Sequence, residues 1–132
     1  MSEILSRHGA RIIFKRDSES KVGRGAVIYR AHFRPEMTKI LYWAAFYAPE
    51  ELQDNEMWVT EGWRNIRSSR DLHEECRAFD IDCTRIKAEL FKDREDIARL
   101  WAMCLSEELG PDYEVILHGG RDGLHLHVEL DP

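Results

Sequence analysis

The sequence has 132 residues, of which 43% are hydrophobic and 33% are charged, and its formal net charge is −6. This length supports one domain with a single core, and the composition is that of a globular chain rather than a disordered or membrane-spanning one. The negative charge argues against a nucleic-acid partner, because binding to a phosphate backbone needs a basic surface. We therefore expect a single domain, residues 1–132, that acts as a monomer.

The N-terminus and the cysteines indicate a cytoplasmic protein without a membrane partner. Residues 1–17 contain no apolar stretch of signal-peptide length, and the longest nearly apolar run, residues 40–48, is too short to span a bilayer. Cys76, Cys83 and Cys104 match no spacing of a zinc knuckle or redox pair. They are expected to remain thiols in a reducing compartment.

Two short strands and a helix are predicted in the N-terminal part. Residues 1–9 show no strong period, whereas residues 11–14 and 26–29 are typical of strands. Pro35, at a first helical position, precedes apolar residues spaced by three and four, which predicts an amphipathic helix that stops before Pro49. Its apolar positions are Met37, Ile40, Leu41, Ala44, Ala45 and Ala48.

A second helix is the most strongly patterned element. Asp93 is predicted to be the N-cap of a helix over residues 94–109, and Gly110 with Pro111 is predicted to end it. The residues expected to face the core are Ile97, Leu100, Trp101, Cys104, Leu105 and Leu109.

The remaining strands set the fold class. Residues 57–60 predict a short strand, and residues 78–81 predict a buried one. Residues 114–117 and 124–130 predict an antiparallel hairpin around a glycine-rich turn. The order β, β, α, β, β, α, β, β favours an α+β domain with a small, mostly antiparallel sheet and packed helices.

Histidines and a carboxylate indicate a metal site. His125 and His127 share one face of the last predicted strand, because strand side chains alternate. His73 and Asp80 add ligands from other segments, and three or four such N/O donors suit a catalytic zinc ion with an open position. Asp80 lies in an apolar strand, and a buried carboxylate is costly unless it is paired or bound to metal.

Two further residues are candidates for the chemistry. Asp122 lies in the turn before the histidines and is our candidate general base, since zinc lowers the pKa of a bound water toward neutrality. Its alternative role is that of a turn residue preceding Gly123. Arg64 can hold a substrate carboxylate or stabilise an oxyanion through its guanidinium fork, although a surface arginine is the simpler interpretation.

These segments together resemble the zinc D-Ala-D-Ala carboxypeptidases and L-alanyl-D-glutamate endopeptidases, which share a fold with the hedgehog signalling domain. VTEGWR, residues 59–64, is similar to the family's Ser-Gly-Tyr-Arg-like turn. DLHEECRAFDI, residues 71–81, is similar to Ser-x-His-x-x-Gly-x-Ala-x-Asp, and LHLHVEL, residues 124–130, to the late His-Val strand. Asp71 stands where the family often has serine and Cys76 where it has glycine, and these departures affect the expected substrate choice.

The resemblance implies zinc held by His73, Asp80 and His127, with Arg64 near a substrate carboxyl oxygen and His125 beside the metal. A Glu/Asp-x-x-His pattern common in the family would instead make His125 the ligand, three residues after Asp122. His127 is preferred because a valine follows it.

The function that the resemblance implies is that of a zinc metallopeptidase, a hydrolase that cuts a peptidoglycan stem peptide at a bond involving a D-amino acid. A phage-type endolysin or carboxypeptidase, made in the host cytoplasm and acting later on the cell wall, would suit a compact chain of this kind. The alternative is an inactive, zinc-bearing binding module of the hedgehog type.

Overall fold

The computed structural model describes residues 2–5, 9–14, 35–63 and 78–131, and it describes no side chains in residues 2–5 and 61–63. The predicted strand at residues 26–29 lies outside the described residues. The described elements, in chain order, are β1 (Ser2–Leu5), β2 (Arg11–Phe14), α1 (Pro35–Phe46), β3 (Glu56–Trp63), β4 (Ala78–Asp82), α2 (Phe91–Leu109), β5 (Tyr113–His118) and β6 (His125–Leu130).

The strands of the described segments form one open sheet in the order β1-β2-β3-β4-β6-β5. All neighbouring strands are antiparallel except β2 and β3, which are parallel. Helix α1 connects that pair, and parallel neighbours require such a crossover. The predicted α+β class with a mostly antiparallel sheet and packed helices is therefore confirmed.

One face of the sheet packs against both helices and forms the hydrophobic core. Alternate residues of the strands point toward the helices, as the two-residue period of a strand requires. The strand residues of this core are Ile12, Phe14, Met57, Val59, Phe79, Ile81, Leu126, Val128 and Leu130. The helices contribute Met37, Ile40, Leu41, Ala44, Ala45, Ala98, Trp101, Leu105 and Leu109. In the described part of the chain, no helix is long and apolar enough to cross a membrane.

Tertiary contacts complete the C-terminal end of α1. The last carbonyl groups of a helix lack partners within the helix and need others. The Trp101 indole donates a hydrogen bond to the Ala44 carbonyl (2.9 Å), and the backbone N–H of Ala10 donates to the Ala45 carbonyl (3.1 Å). The backbone passes so close here that a Cβ on Gly9 would overlap the Ala45 carbonyl oxygen. Glycine at position 9 therefore lets the chain enter β2 against α1.

Helix α2 differs from the prediction at its start and on one side. It begins at Phe91, and the N-cap position is held by Leu90 without a side-chain hydrogen bond, so the predicted cap, Asp93, lies inside the first turn. Leu100 is 61% exposed rather than buried, whereas Ala98 is fully buried. A single sheet layer covers only a narrow stripe of the helix, which is occupied by Ala98, Trp101, Leu105 and Leu109.

One strand was not predicted, and another extends beyond its predicted limit. Residues 2–5 form β1 although they show no strong period, because β2 pairs with them in antiparallel register. Strand β3 continues to Trp63, past the predicted end at residue 60, through backbone pairing with β4 and a register shift between Val59 and Glu61. The part of the VTEGWR segment up to residue 63 is therefore a strand rather than a turn.

The Cys83 thiol should be unreactive in the folded protein. Cys83 is fully buried after β4, and this burial raises the pKa of its thiol far above the usual range. We expect iodoacetamide at about pH 8 to leave Cys83 unmodified in the native protein and to modify it after denaturation in urea, as read by peptide mass spectrometry. The half-buried Cys104 is the internal comparison. Native modification of Cys83 at the denatured rate would contradict the described burial.

Candidate functional site

The sheet face opposite the helices carries acidic residues and histidines in two cross-strand rows. In the first row Asp80 of β4 lies directly opposite His127 of β6. In the second row Asp82 lies opposite His125, which in turn lies opposite His118 of β5. Strand β4 and the β5–β6 hairpin, which are distant in sequence from each other, thus bring these five side chains to one surface.

Strand alternation in β6 places the histidines as predicted. His125, His127 and Glu129 are half-buried on the polar face, whereas Leu126, Val128 and Leu130 are buried in the core. The burial of the apolar residues fixes the strand's rotation, because a slip of one residue would expose all of them. The predicted common face of His125 and His127 is confirmed.

His127 lies between two carboxylates. Its Nδ1 is 2.9 Å from Asp80 Oδ1, and its Nε2 is 3.2 Å from Glu129 Oε1. The side chains of His127 and Asp80 are only 14% and 15% exposed, so water screens their interaction weakly. In the metal-free protein an imidazole with two such acceptors is favoured in its protonated form. The hydrogen bond to Asp80, followed by that to Glu129, raises the pKa of His127, while partial burial opposes the rise.

This raised pKa predicts how the stability of the metal-free protein depends on pH. Because the folded-state pKa of His127 lies above its unfolded value of about 6.5, the stabilisation is fully present below that value. It is lost as the pH rises through the folded-state pKa. We expect urea unfolding of chelator-treated protein to show this loss, and His127→Gln to flatten the profile. Profiles of equal slope would rule out the proposed ion pairing of His127.

His125 has a different environment from His127. Its Nδ1 lies 2.7 Å from the backbone carbonyl of Gly123, which can only accept, so Nδ1 carries the hydrogen. The His118 ring stacks on the His125 ring with centroids 5.5 Å apart and meets the His127 ring edge-on at 6.2 Å. His118 was not predicted as a site residue, because only the hairpin register places it beside His125.

The other carboxylates have distinct positions. Asp82 Oδ1 accepts hydrogen bonds from the backbone N–H and the hydroxyl of Thr84, at 2.8 and 2.7 Å, which orders the chain after β4. Asp122 is exposed in the β5–β6 turn, and no contact with His125 or His127 is found among the described residues. Its role as general base stays a prediction.

The predicted ligand His73 and the predicted substrate contact Arg64 lie outside the described residues. Glu129 is not among the predicted site residues, and the structure adds its contact with His127. Its position two residues after His127 was the sequence signal for that contact.

The Asp80–His127 pair fits two corners of a zinc site. Tetrahedral ligands with bonds of 2.0–2.1 Å lie about 3.3 Å apart, and the observed Nδ1 to Oδ1 distance is 2.9 Å. With a metal at Nδ1, the Nε2–H group of His127 would donate to Glu129, an arrangement in which a carboxylate orients a histidine ligand. Within the described segments, no group of three or more His, Cys, Asp or Glu residues is arranged to hold a metal ion. A zinc ion bound at this pair would need a third donor from outside the described residues, and His73 is the predicted one.

Comparisons of this chain with protein-family models, curated proteins and solved structures found no match. The family resemblance therefore rests on the three motifs quoted above. Function has to be argued from the chemistry of the site residues themselves.

Proposed function

We propose that the protein is a zinc-dependent peptidase of the hedgehog/DD-peptidase type, which hydrolyses a peptidoglycan stem peptide at a bond involving a D-amino acid. The proposal depends chiefly on the direct pairing of Asp80 with His127 across neighbouring strands. Of the three predicted ligands, these are the two that the structure describes. They come from the second and third motifs of the resemblance. An endolysin acting on the cell wall is the setting proposed by analogy with phage-type members.

The surroundings of the two histidines support His127 as the ligand and His125 as the neighbour of the metal. His127 Nδ1 faces a half-buried carboxylate that offers a second donor. His125 Nδ1 is occupied by the Gly123 carbonyl, and its row partner Asp82 binds Thr84 through Oδ1. His127 therefore has a partner suited to shared metal binding, whereas His125 Nε2 makes no hydrogen bond to a described residue.

Bound zinc would polarise the scissile carbonyl and lower the pKa of the attacking water. Asp80 and His127, with His73, would hold the ion, and Glu129 would keep the His127 ring oriented by accepting its Nε2–H. His125 Nε2 can donate a proton toward the carbonyl oxygen when the ring is protonated. Asp122 is assigned the role of the general base that takes a proton from water. Arg64 is assigned the role of binding the substrate carboxylate or stabilising the developing negative charge.

The test combines metal content with cleavage of defined stem peptides. Purified protein should contain about one zinc ion per chain and should cleave at least one peptide of a panel containing L-Ala-D-Glu and D-Ala-D-Ala bonds. Phenanthroline should abolish cleavage and added zinc should restore it. Asp80→Asn should lose both zinc and activity, whereas Asp82→Asn, on the same strand and face, should keep zinc. Absence of chelator-sensitive hydrolysis across the panel would sink the peptidase.

The second candidate is a hedgehog-type module that holds zinc for structure and binds a partner in the cleft. It is favoured by the exposed position of Asp122, which contacts neither His125 nor His127 in the described part of the chain. Stoichiometric zinc without hydrolysis of any peptide is its expected result. A protein that binds no zinc would exclude both candidates.

A further inference from the structure

We propose that His118 and His125 form a second metal site, which takes a divalent transition-metal ion from solution without using Asp80 or His127 as ligands. An ion there would occupy His125 Nε2 and so block the catalytic role proposed for that atom. The site consists of two imidazoles on neighbouring strands next to the β5–β6 turn. Its ligand class is a nitrogen-preferring ion such as nickel, copper or zinc.

The cross-strand register brings the two rings together. His118 and His125 are directly opposite on β5 and β6, and directly opposite residues have Cβ atoms about 4.5–5.5 Å apart. Their rings are nearly parallel, at 13°, with centroids 5.5 Å apart. The in-plane lone pairs of stacked rings do not converge, so both side chains would have to rotate to bring one nitrogen of each ring to a shared ion, with bonds of about 2.0–2.1 Å.

The hydrogen bonding of His125 prepares it as a ligand. Because Nδ1 donates to the Gly123 carbonyl at 2.7 Å, Nε2 of the neutral ring carries the lone pair that a metal needs. Donation of the second ring N–H to a backbone carbonyl is the usual arrangement of metal-binding histidines. His118 is exposed and has no hydrogen bond to any described residue, so its nitrogens are open to an ion.

The charges around the pair favour a cation. Asp82 lies opposite His125 on β4, Asp80 lies in the adjacent row, and Glu129 lies one row further along β6. The turn that joins the two strands is tied to α2 through the Arg121 guanidinium, which lies 5.8 Å from the centre of the Phe91 ring.

Two protein ligands leave the remaining coordination positions to water, so the ion should bind more weakly than at a three-ligand site and exchange readily.

The test is a calorimetric titration of the full chain with nickel chloride. We expect His118→Gln to weaken nickel binding at least about tenfold, because one of the two ligands is removed. Glu114→Gln is the matched control: it lies on the same strand and face as His118, is exposed, and loses a charge but no imidazole. It should retain nickel binding close to that of the wild type.

Two further readouts separate this site from the proposed function. His127→Gln removes the proposed zinc ligand but should keep the nickel binding that depends on His118. In His127→Gln, in which the proposed three-ligand site lacks one ligand, substoichiometric nickel should broaden the imidazole NMR signals of His118 and His125 first. Unchanged nickel affinity in His118→Gln, or broadening that spares both rings, would overturn the second site whatever the outcome for the peptidase.

Discussion

Replacing His127 with alanine is expected to remove the bound zinc and to slow stem-peptide cleavage by more than about 100-fold, since loss of an outer-shell partner alone costs about 10–100-fold. The change deletes the imidazole that contacts both Asp80 and Glu129. Asp80, which is only 15% exposed, then loses its described hydrogen-bond partner. Elemental analysis of the purified variant and peptide-cleavage rates measure the two effects separately.

His125→Ala is the matched comparison for His127→Ala, because the two residues lie two positions apart on the same face of β6. It should keep zinc at the wild-type ratio while cleavage falls, since His125 is proposed to act beside the metal rather than to bind it. The reverse pattern, zinc lost in His125→Ala and kept in His127→Ala, would show that the ligand assignment is wrong. Zinc lost from His127→Ala in a protein without peptidase activity would support the binding module.

Replacing Trp101 with alanine is expected to lower the free energy of unfolding by about 3–5 kcal/mol, the usual cost of truncating a buried tryptophan. Trp101 is 2% exposed and is among the largest fully buried side chains described. Its indole also donates to the Ala44 carbonyl at the end of α1, which would lose this partner. Urea denaturation followed by circular dichroism measures the change.

Two variants separate the causes of that loss. Trp101→Phe keeps most of the apolar volume and removes the indole N–H, so it should cost about 1–3 kcal/mol for the unpaired carbonyl. Leu100→Ala, one residue earlier on α2 but 61% exposed, should change stability by no more than about 0.5 kcal/mol. If Leu100→Ala proved as damaging as Trp101→Ala, the described rotation of α2 would be wrong.

Local pattern was sufficient for the start of α1, the end of α2 and the faces of the last strand. Pro35 and the apolar spacing after it predicted the start of α1, and Gly110, with its positive φ of 87°, ends α2 as predicted. The alternation of leucine and valine with histidine predicted the two faces of β6. Each of these features depends on residues within a few positions of one another, so the sequence carries the whole signal.

Features that depend on contacts between elements could not be predicted from local pattern. Leu100 has the spacing of a core residue, but its exposure depends on how little of α2 the sheet covers. Strand β1 has no strong pattern of its own and is defined by its pairing with β2. Such features depend on neighbours far away in the chain, which local periodicity does not report.

The same distinction between local pattern and long-range contacts applies to the candidate site. The types of donor atom and the common face of His125 and His127 follow from composition and strand period, so they could be predicted without a structure. The pairing of the donors depends on the strand order, since β6 inserts between β4 and β5 and aligns Asp80 with His127 and Asp82 with His125. The same insertion brings His118 beside His125, because the register of a pair of strands is set by burial and turn geometry rather than by the paired residues alone.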